Sequence, residues 1–238
     1  FLQAVIDTKH LKMDDRQVEW LFKNPLSDGG QYTGVSNLIM KYGVVPAEVM
    51  AENYQTNNTS QVSNLIKLKL REYGLKLRQQ KDKRAPVALK TEMLKEIYQL
   101  LVRAYGVPPT ELEGTMRNKN GEVVSTKTYT PQSFYKEYFG DLDLENDFVM
   151  VMNDPTREYH KVYEIEYDRH VYDGQNWVYL NLPIDEVKAL AIASIKDNTA
   201  MYFSCDVGKF ILSKKGTLDV NNFDYASLFG TSFPMDKK

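Results

Sequence analysis

One cysteine and three histidines are the only candidates for thiol–imidazole chemistry in the chain. Thiol catalysis needs a thiolate activated by an imidazole within hydrogen-bond reach. Cys205 sits in the apolar run Ala200-Met201-Tyr202-Phe203-Ser204-Cys205, with no glycine-rich helix start after it. That setting predicts a core cysteine, which behaves as a small hydrophobe. His10 neighbours Lys9 and Lys12 and reads as a solvated helix end. His160 and His170 fall in a polar stretch with Arg157, Lys161 and Arg169, and read as surface or strand histidines. No pair has metal-ligand spacing with a carboxylate, so neither a metal nor another cofactor is expected. Carboxylates are scattered: Asp14-Asp15 suits a helix start, and Asp141-Leu142-Asp143-Leu144-Glu145 a surface turn. No catalytic residue is assigned.

Two other features bear on binding. Ser27-Asp28-Gly29-Gly30-Gln31 is a tight turn whose adjacent glycines let backbone approach a ligand or a helix without an intervening Cβ. The run from Lys67 to Lys90 is rich in lysine and arginine, opposed only by Glu72 and Asp82. A basic helical face can attract phosphates through counterion release. It is also what a solvated helix surface looks like when its acidic partners lie elsewhere.

The elements around these residues follow from periodicity and punctuation. Residues 1–24 predict two short helices, the second opened by Asp14-Asp15, with Val18, Leu21 and Phe22 inward and Asn24-Pro25 as the stop. A helix over 31–43 places Val35, Leu38 and Ile39 inward and ends at Gly43. Residues 59–106 predict a helical hairpin, capped at Thr59 or Ser60 and broken near Lys83-Arg84-Ala85-Pro86. Its first helix would bury Val62, Leu65, Ile66, Leu70, Tyr73 and Leu77, with Gly74 as a weak point, and its second Leu94, Ile97, Leu101 and Ala104. The hairpin is long enough to project from a compact domain.

Asn118-Lys119-Asn120-Gly121 predicts a β-hairpin turn, and Thr130-Pro131 opens a short helix through Phe139. Buried strands are expected over 148–152 and 200–205, and alternating strands over 159–167 and 171–180. A helix from Ile184 to Asp197 would face Val187, Leu190, Ala191 and Ile195 inward, and 208–238 reads as irregular. The division is 1–58, 59–111 for the helical hairpin, and 112–238 for a β-rich region.

With 238 residues, 42% of them hydrophobic, the chain can build a sizeable core in one or two domains. A net charge of −2 argues against a general polyanion binder. A single cysteine precludes an internal disulfide and fits a reducing compartment. No stretch approaches the roughly 18 consecutive apolar residues of a membrane span, so no membrane partner is expected. Phe1-Leu2-Gln3-Ala4-Val5-Ile6 reads as a helix already under way, so the chain is expected to be a segment of a longer protein; the alternative is a small protein with a processed N-terminus.

The order of the glycine turn and Leu38-Ile39-Met40-Lys41-Tyr42-Gly43-Val44-Val45-Pro46 resembles papain-like cysteine peptidases, in the aminopeptidase C and bleomycin hydrolase branch. Thr130-Pro131-Gln132-Ser133-Phe134-Tyr135, Val151-Met152-Asn153-Asp154-Pro155, Tyr179 to Asp185 and Phe203-Ser204-Cys205-Asp206-Val207-Gly208-Lys209 extend the likeness. Asn221-Asn222-Phe223-Asp224-Tyr225 continues it, so that it covers nearly the whole chain.

The resemblance implies an α+β fold: the helical lobe with a helical-hairpin insertion, plus part of the β-lobe. It implies a cytoplasmic cysteine aminopeptidase that removes N-terminal residues from peptides. Gly29 and Gly30 would form the substrate wall, flanked by Asp28 and Gln31, with Phe203, Ser204 and Cys205 near the specificity pocket. It further implies self-association, hexameric in the family, around a basic channel with nucleic-acid affinity.

The family's cysteine motif, oxyanion glutamine, histidine strand, orienting asparagine and C-terminal arm are all unmatched, so this segment alone is expected to be inactive. The alternative is a nucleic-acid- or protein-binding module built on the basic hairpin.

Overall fold

The computed structural model describes the chain apart from residues 28, 82–84, 206, 209, 220–224 and 233–238 and the side chain of residue 85. Asp28, the expected hairpin break at Lys83-Arg84, Asp206, Lys209 and Asn221 to Asp224 therefore lie outside the described residues. The described residues form two compact units: Phe1–Phe148 with Ile165–Trp177, and Val149–Glu164 with Val178–Lys238.

The first unit is mainly helical. Helices α1 (Leu2–Asp7), α2 (Arg16–Lys23) and α3 (Tyr32–Tyr42) come first, then a 3-10 turn at Ala47–Met50 and the short α4 (Tyr54–Asn57). The Asp15 carboxylate caps α2 by accepting from the Gln17 amide at 2.9 Å. Gly43 ends α3 at φ 76°, where a side chain is disfavoured. Helices α5 (Ser60–Gln79) and α6 (Ala85–Tyr105) are the predicted hairpin.

The hairpin is the core of its unit. Val62, Ile66, Leu70, Tyr73 and Leu77 of α5 join Met93 and Ile97 of α6 and Leu2 and Val5 of α1 in one apolar cluster. Two expected core residues lie outside it: Leu65 is 55% exposed and Leu94 is also exposed. The buried stripe follows 62, 66, 70, 73, 77, and Leu65 falls beside it. Gly74 belongs to that stripe. A Cβ there would meet the Phe22 ring at 2.9 Å and the Phe1 ring at 3.0 Å, so its missing side chain admits those rings.

Much of the predicted basic face is spent on this packing. The Arg71 guanidinium donates to the Phe22 carbonyl at 2.8 Å and the Lys23 carbonyl at 3.2 Å, at the end of α2. Arg78 donates to the Thr8 and Leu11 carbonyls beyond α1. Arg71 thus sits where the last carbonyls of α2 lack intrahelical partners, and Arg78 holds the chain just past α1. Lys69 and Lys76 both pair with Glu72, at 2.9 and 2.6 Å.

Strands β1 (Leu112–Arg117) and β2 (Val123–Tyr129) form the predicted hairpin, and α7 (Pro131–Phe139) follows with a reciprocal Thr130–Ser133 capping box.

The second unit holds a three-stranded sheet of β3 (Met150–Met152), β5 (Trp177–Asn181) and β4 (Lys161–Ile165), in that order. β3 and β5 are parallel, with Met150 opposite Tyr179 and Met152 opposite Asn181. Helix α8 (Ile184–Lys196) follows. Among the described residues of this unit only Asn181 and Leu182 are buried.

Several expectations are corrected here. The run 148–152 holds a three-residue strand, Met150–Met152, that is half-buried and not buried, and Phe148 and Val149 before it are exposed. α8 buries no residue; Val187 and Ala191 are half-buried, but Leu190 is exposed and Ile195 is 71% exposed. Residues 200–205 form no strand, Phe203 is 75% exposed, and Cys205 is an exposed thiol and not a core side chain. Apolar composition there does not translate into burial. The region read as irregular contains a small β6 (Ile211–Leu212) and β7 (Thr217–Leu218) pair and α9 (Tyr225–Phe229).

Candidate functional site: a glycine-walled cleft

The glycine turn is positioned from both sides. Upstream, α2 ends at Asn24, whose side chain donates to the Trp20 carbonyl at 3.0 Å. The Ser27 hydroxyl then accepts from the Gly29 amide at 3.3 Å. Downstream, Gln31 is the N-cap of α3, and its carbonyl accepts from Val35 at 3.2 Å.

A segment far along the chain closes on this turn. His170 lies against Gly30 and Gly34; a Cβ on Gly30 would meet the imidazole Nε2 at 2.8 Å, and one on Gly34 would overlap the same ring. The buried face of α3 is accordingly Gly34 and Ser36, whereas Val35 and Leu38, expected inward, are exposed. The absent side chain is the reason: the imidazole occupies the space a larger residue would take.

Bonds from α2 and α3 lace residues 165–177 in place. Lys41 pairs with Asp173 at 2.6 Å, which holds that carboxyl below its usual range. The Asn37 side-chain oxygen accepts from the Gln175 amide at 3.4 Å, and Gln17 donates to the Tyr167 hydroxyl.

Between these parts lies a cleft of about 500 Å³ lined by Gly29, Trp20, Tyr167, Asp168, His170 and Trp177, among others. The Trp20 and Tyr167 rings sit 5.8 Å apart, and His170 stacks on Trp177 with centroids 6.1 Å apart and planes 21° apart. The Asp168 carboxyl is pushed up by burial, opposed by the charge of His170. Such a site offers backbone, aromatic faces, the carboxyls of Asp7 and Asp168 and the Arg169 guanidinium. It suits recognition of an extended chain through main-chain bonds and side-chain pockets.

Of the sequence-predicted binding residues, Gly29 lines this cleft, Gly30 backs onto His170, and Gln31 starts α3. Phe203, Ser204 and Cys205 belong to the other unit. The imidazoles are engaged elsewhere than with a thiol. His10 Nδ1 contacts the Asp7 carbonyl at 3.0 Å, and His160 Nε2 contacts the Glu186 carboxylate at 2.9 Å. Among the described residues no cluster of three His, Cys, Asp or Glu is placed to hold a metal, and no helix is long and apolar enough to cross a membrane.

The aromatic walls and His170 were not readable as site residues from local sequence. One cue existed: Gly30 and Gly34 are four apart at a helix start, a spacing that puts both on one face and invites a neighbour onto it.

Comparison with known proteins places the chain in a family. Human bleomycin hydrolase is 35% identical over 240 residues, covering 98% of this chain and 53% of that protein. Aminopeptidase C of Listeria monocytogenes is 35% identical over 240 residues, covering 100% of this chain and 54% of its own length. The crystal structure of PepW from Lactobacillus rhamnosis HN001 superposes with a TM-score of 0.90 at 34% identity, covering 98% of this chain and 53% of PepW. The chain thus spans about half the length of the relatives it matches. The fold is the mixed helix and sheet of a papain-like peptidase. The family model matches residues 1–238, and the chain belongs to the Peptidase C1-like family.

Proposed function

We propose that this chain supplies the substrate wall and helical scaffold of a cysteine aminopeptidase, and that residues 1–238 alone do not catalyse. The observation that carries the reading is the glycine turn: in a chain of this family, Gly29 lines a cleft and Gly30 is backed by His170. An extended peptide laid along that backbone would bond strand-fashion, with aromatic side chains beside it. Inactivity is supported by the exposed Cys205 and by imidazoles whose contacts lie elsewhere. Self-association and a cytoplasmic setting belong to the same reading. The binding-module alternative has less support, because Arg71, Arg78, Lys69 and Lys76 have partners within the helical unit.

The test uses the 238-residue chain. A capped dipeptide, N-acetyl-alanyl-alanine methylamide, is expected to shift the Gly29 and Gly30 amides in NMR titration. An aminoacyl fluorogenic substrate is expected to remain uncleaved. Turnover abolished by Cys205→Ala would overturn the inactivity, and a titration that leaves both glycine amides unmoved would overturn the wall.

A further inference from the structure

The glycine turn has little of its own to hold it still. Glycine gives up more conformational freedom on ordering than any other residue. The bond from the Gly29 amide to the Ser27 hydroxyl is 3.3 Å, long for an N–H donor. Neither Gly29 nor Gly30 has a side chain to anchor in a neighbour.

The anchor is a ring from far along the chain. Gly30, just before α3, and Gly34, in its first turn, leave a notch that the His170 imidazole fills. A Cβ on Gly30 would meet ring atoms at 2.8 and 3.0 Å, and one on Gly34 would overlap Nδ1 and Cε1. The ring is fixed in turn. Trp177 stacks on it, and the Lys41–Asp173 and Asn37–Gln175 bonds tie its segment to α3. Gly174 brings that backbone close: a Cβ there would meet the Asn37 side-chain oxygen at 3.2 Å. Stability does not account for this seat. His170 is exposed, so little area leaves water there, and neither ring nitrogen hydrogen-bonds to a described residue. What the ring contributes is its fit to the two glycines.

We propose that His170 is a positioning residue: its ring, seated between Gly30 and Gly34, fixes the Gly29–Gly30 backbone in the conformation that an extended peptide meets. The peptide rests on the function proposed above; the seating of the ring does not. His170 acts through the glycines and takes no part in any bond that is made or broken.

The test uses the full 238-residue chain and N-acetyl-alanyl-alanine methylamide. In His170→Ala the backbone order parameters of Gly29 and Gly30 are expected to fall from the rigid range, about 0.85, toward about 0.6. Dipeptide affinity is expected to fall about tenfold, the scale of ordering one backbone residue at binding. The denaturation midpoint is expected to stay at that of the parent chain, whereas loss of a packing residue would lower it. Gly34→Ala, whose methyl group displaces the ring, should reproduce the affinity loss with His170 intact. The double variant should be no weaker than either single one, because both remove the same contact. Unchanged order parameters in His170→Ala, or losses that add in the double variant, overturn the proposal. So does a lowered midpoint with glycines that stay rigid.

The two readings fail separately. If the parent chain binds the dipeptide and His170→Ala binds it equally well, the positioning role falls and the wall stands. If the glycines loosen in His170→Ala but the parent chain does not bind the dipeptide, the wall falls and the positioning role stands.

Discussion

In the helical unit, nine buried side chains from α1, α5 and α6 make one apolar cluster. Among the described residues of the sheet unit, the one fully buried side chain is polar. Asn181 is 0% exposed and serves four backbone groups. Its oxygen accepts from the Asp154 amide at 2.8 Å, and its nitrogen donates to the carbonyls of Asp154 (3.0 Å), Arg157 (3.3 Å) and Glu158 (3.1 Å). The Asn181 backbone carbonyl in turn accepts from His160 at 2.7 Å, where the chain turns through φ 59°. One unit is organised by area removed from water, the other by a side chain that satisfies a loop's peptide groups. The first tolerates polar change on its surface; the second has little apolar burial to fall back on.

The largest effect expected is therefore at Asn181. Asn181→Leu keeps similar bulk but leaves one amide and three carbonyls without their partner. At about 1 kcal/mol for each such group, the loss is about 4 kcal/mol. Hydrogen exchange should show the Asp154 and His160 amides losing protection, while the amides of α5 keep theirs. Unchanged protection at Asp154 would mean that the loop is held by something other than this side chain.

A truncation in the other unit sharpens the contrast. Leu77, 0% exposed in the α1–α5–α6 cluster, should cost about 3 kcal/mol as Leu77→Ala. Leu65→Ala, on the exposed side of the same helix, should stay within about 0.5 kcal/mol. Denaturant midpoints of the two variants measure this directly. Equal losses would show that the helix buries a wider face than 62, 66, 70, 73 and 77.

How far the sequence carried this picture depended on whether burial was local. The helices of residues 1–106, the 118–121 turn and the Thr130 cap were legible because capping residues, glycines and periodicity act within a few positions. The inward faces were less legible. Leu65, Leu94, Leu38 and Leu190 fit helical spacing, yet each is exposed. Apolar identity says what can be buried, and the neighbour decides what is. Residues 200–205 make the same point: an apolar run that forms no strand and is exposed. At the candidate site the backbone half was visible as Gly29-Gly30, since glycine pairs carry their meaning locally. The side-chain half, Asp168, His170 and Trp177, comes from about 140 positions later, and only the fold brings it to the turn. The basic run was visible as charge but not as packing. Arg71 and Arg78 terminate helices remote in sequence, and no local pattern distinguishes that from a solvated face.

The smallest effect expected lies on the outer face of α5, where Glu72 sits between Lys69 and Lys76. Hydrogen bonds from Lys76 and then Lys69 hold its carboxyl down at about 2, from an ordinary 4.5. A carboxyl whose folded-state value is depressed stabilises the fold above its unfolded value. That contribution is present above about pH 4.5 and is lost as pH falls toward 2. All three side chains are well exposed, so solvent and salt screen the pairs. Glu72→Gln should therefore lower the denaturation midpoint slightly at neutral pH. The difference from the parent chain should close as pH approaches 2 and shrink in molar salt. A difference that persists at low pH would make Glu72 a packing residue. It would then join the apolar side of the comparison, and the helical unit would draw more on its polar surface than its core composition implies.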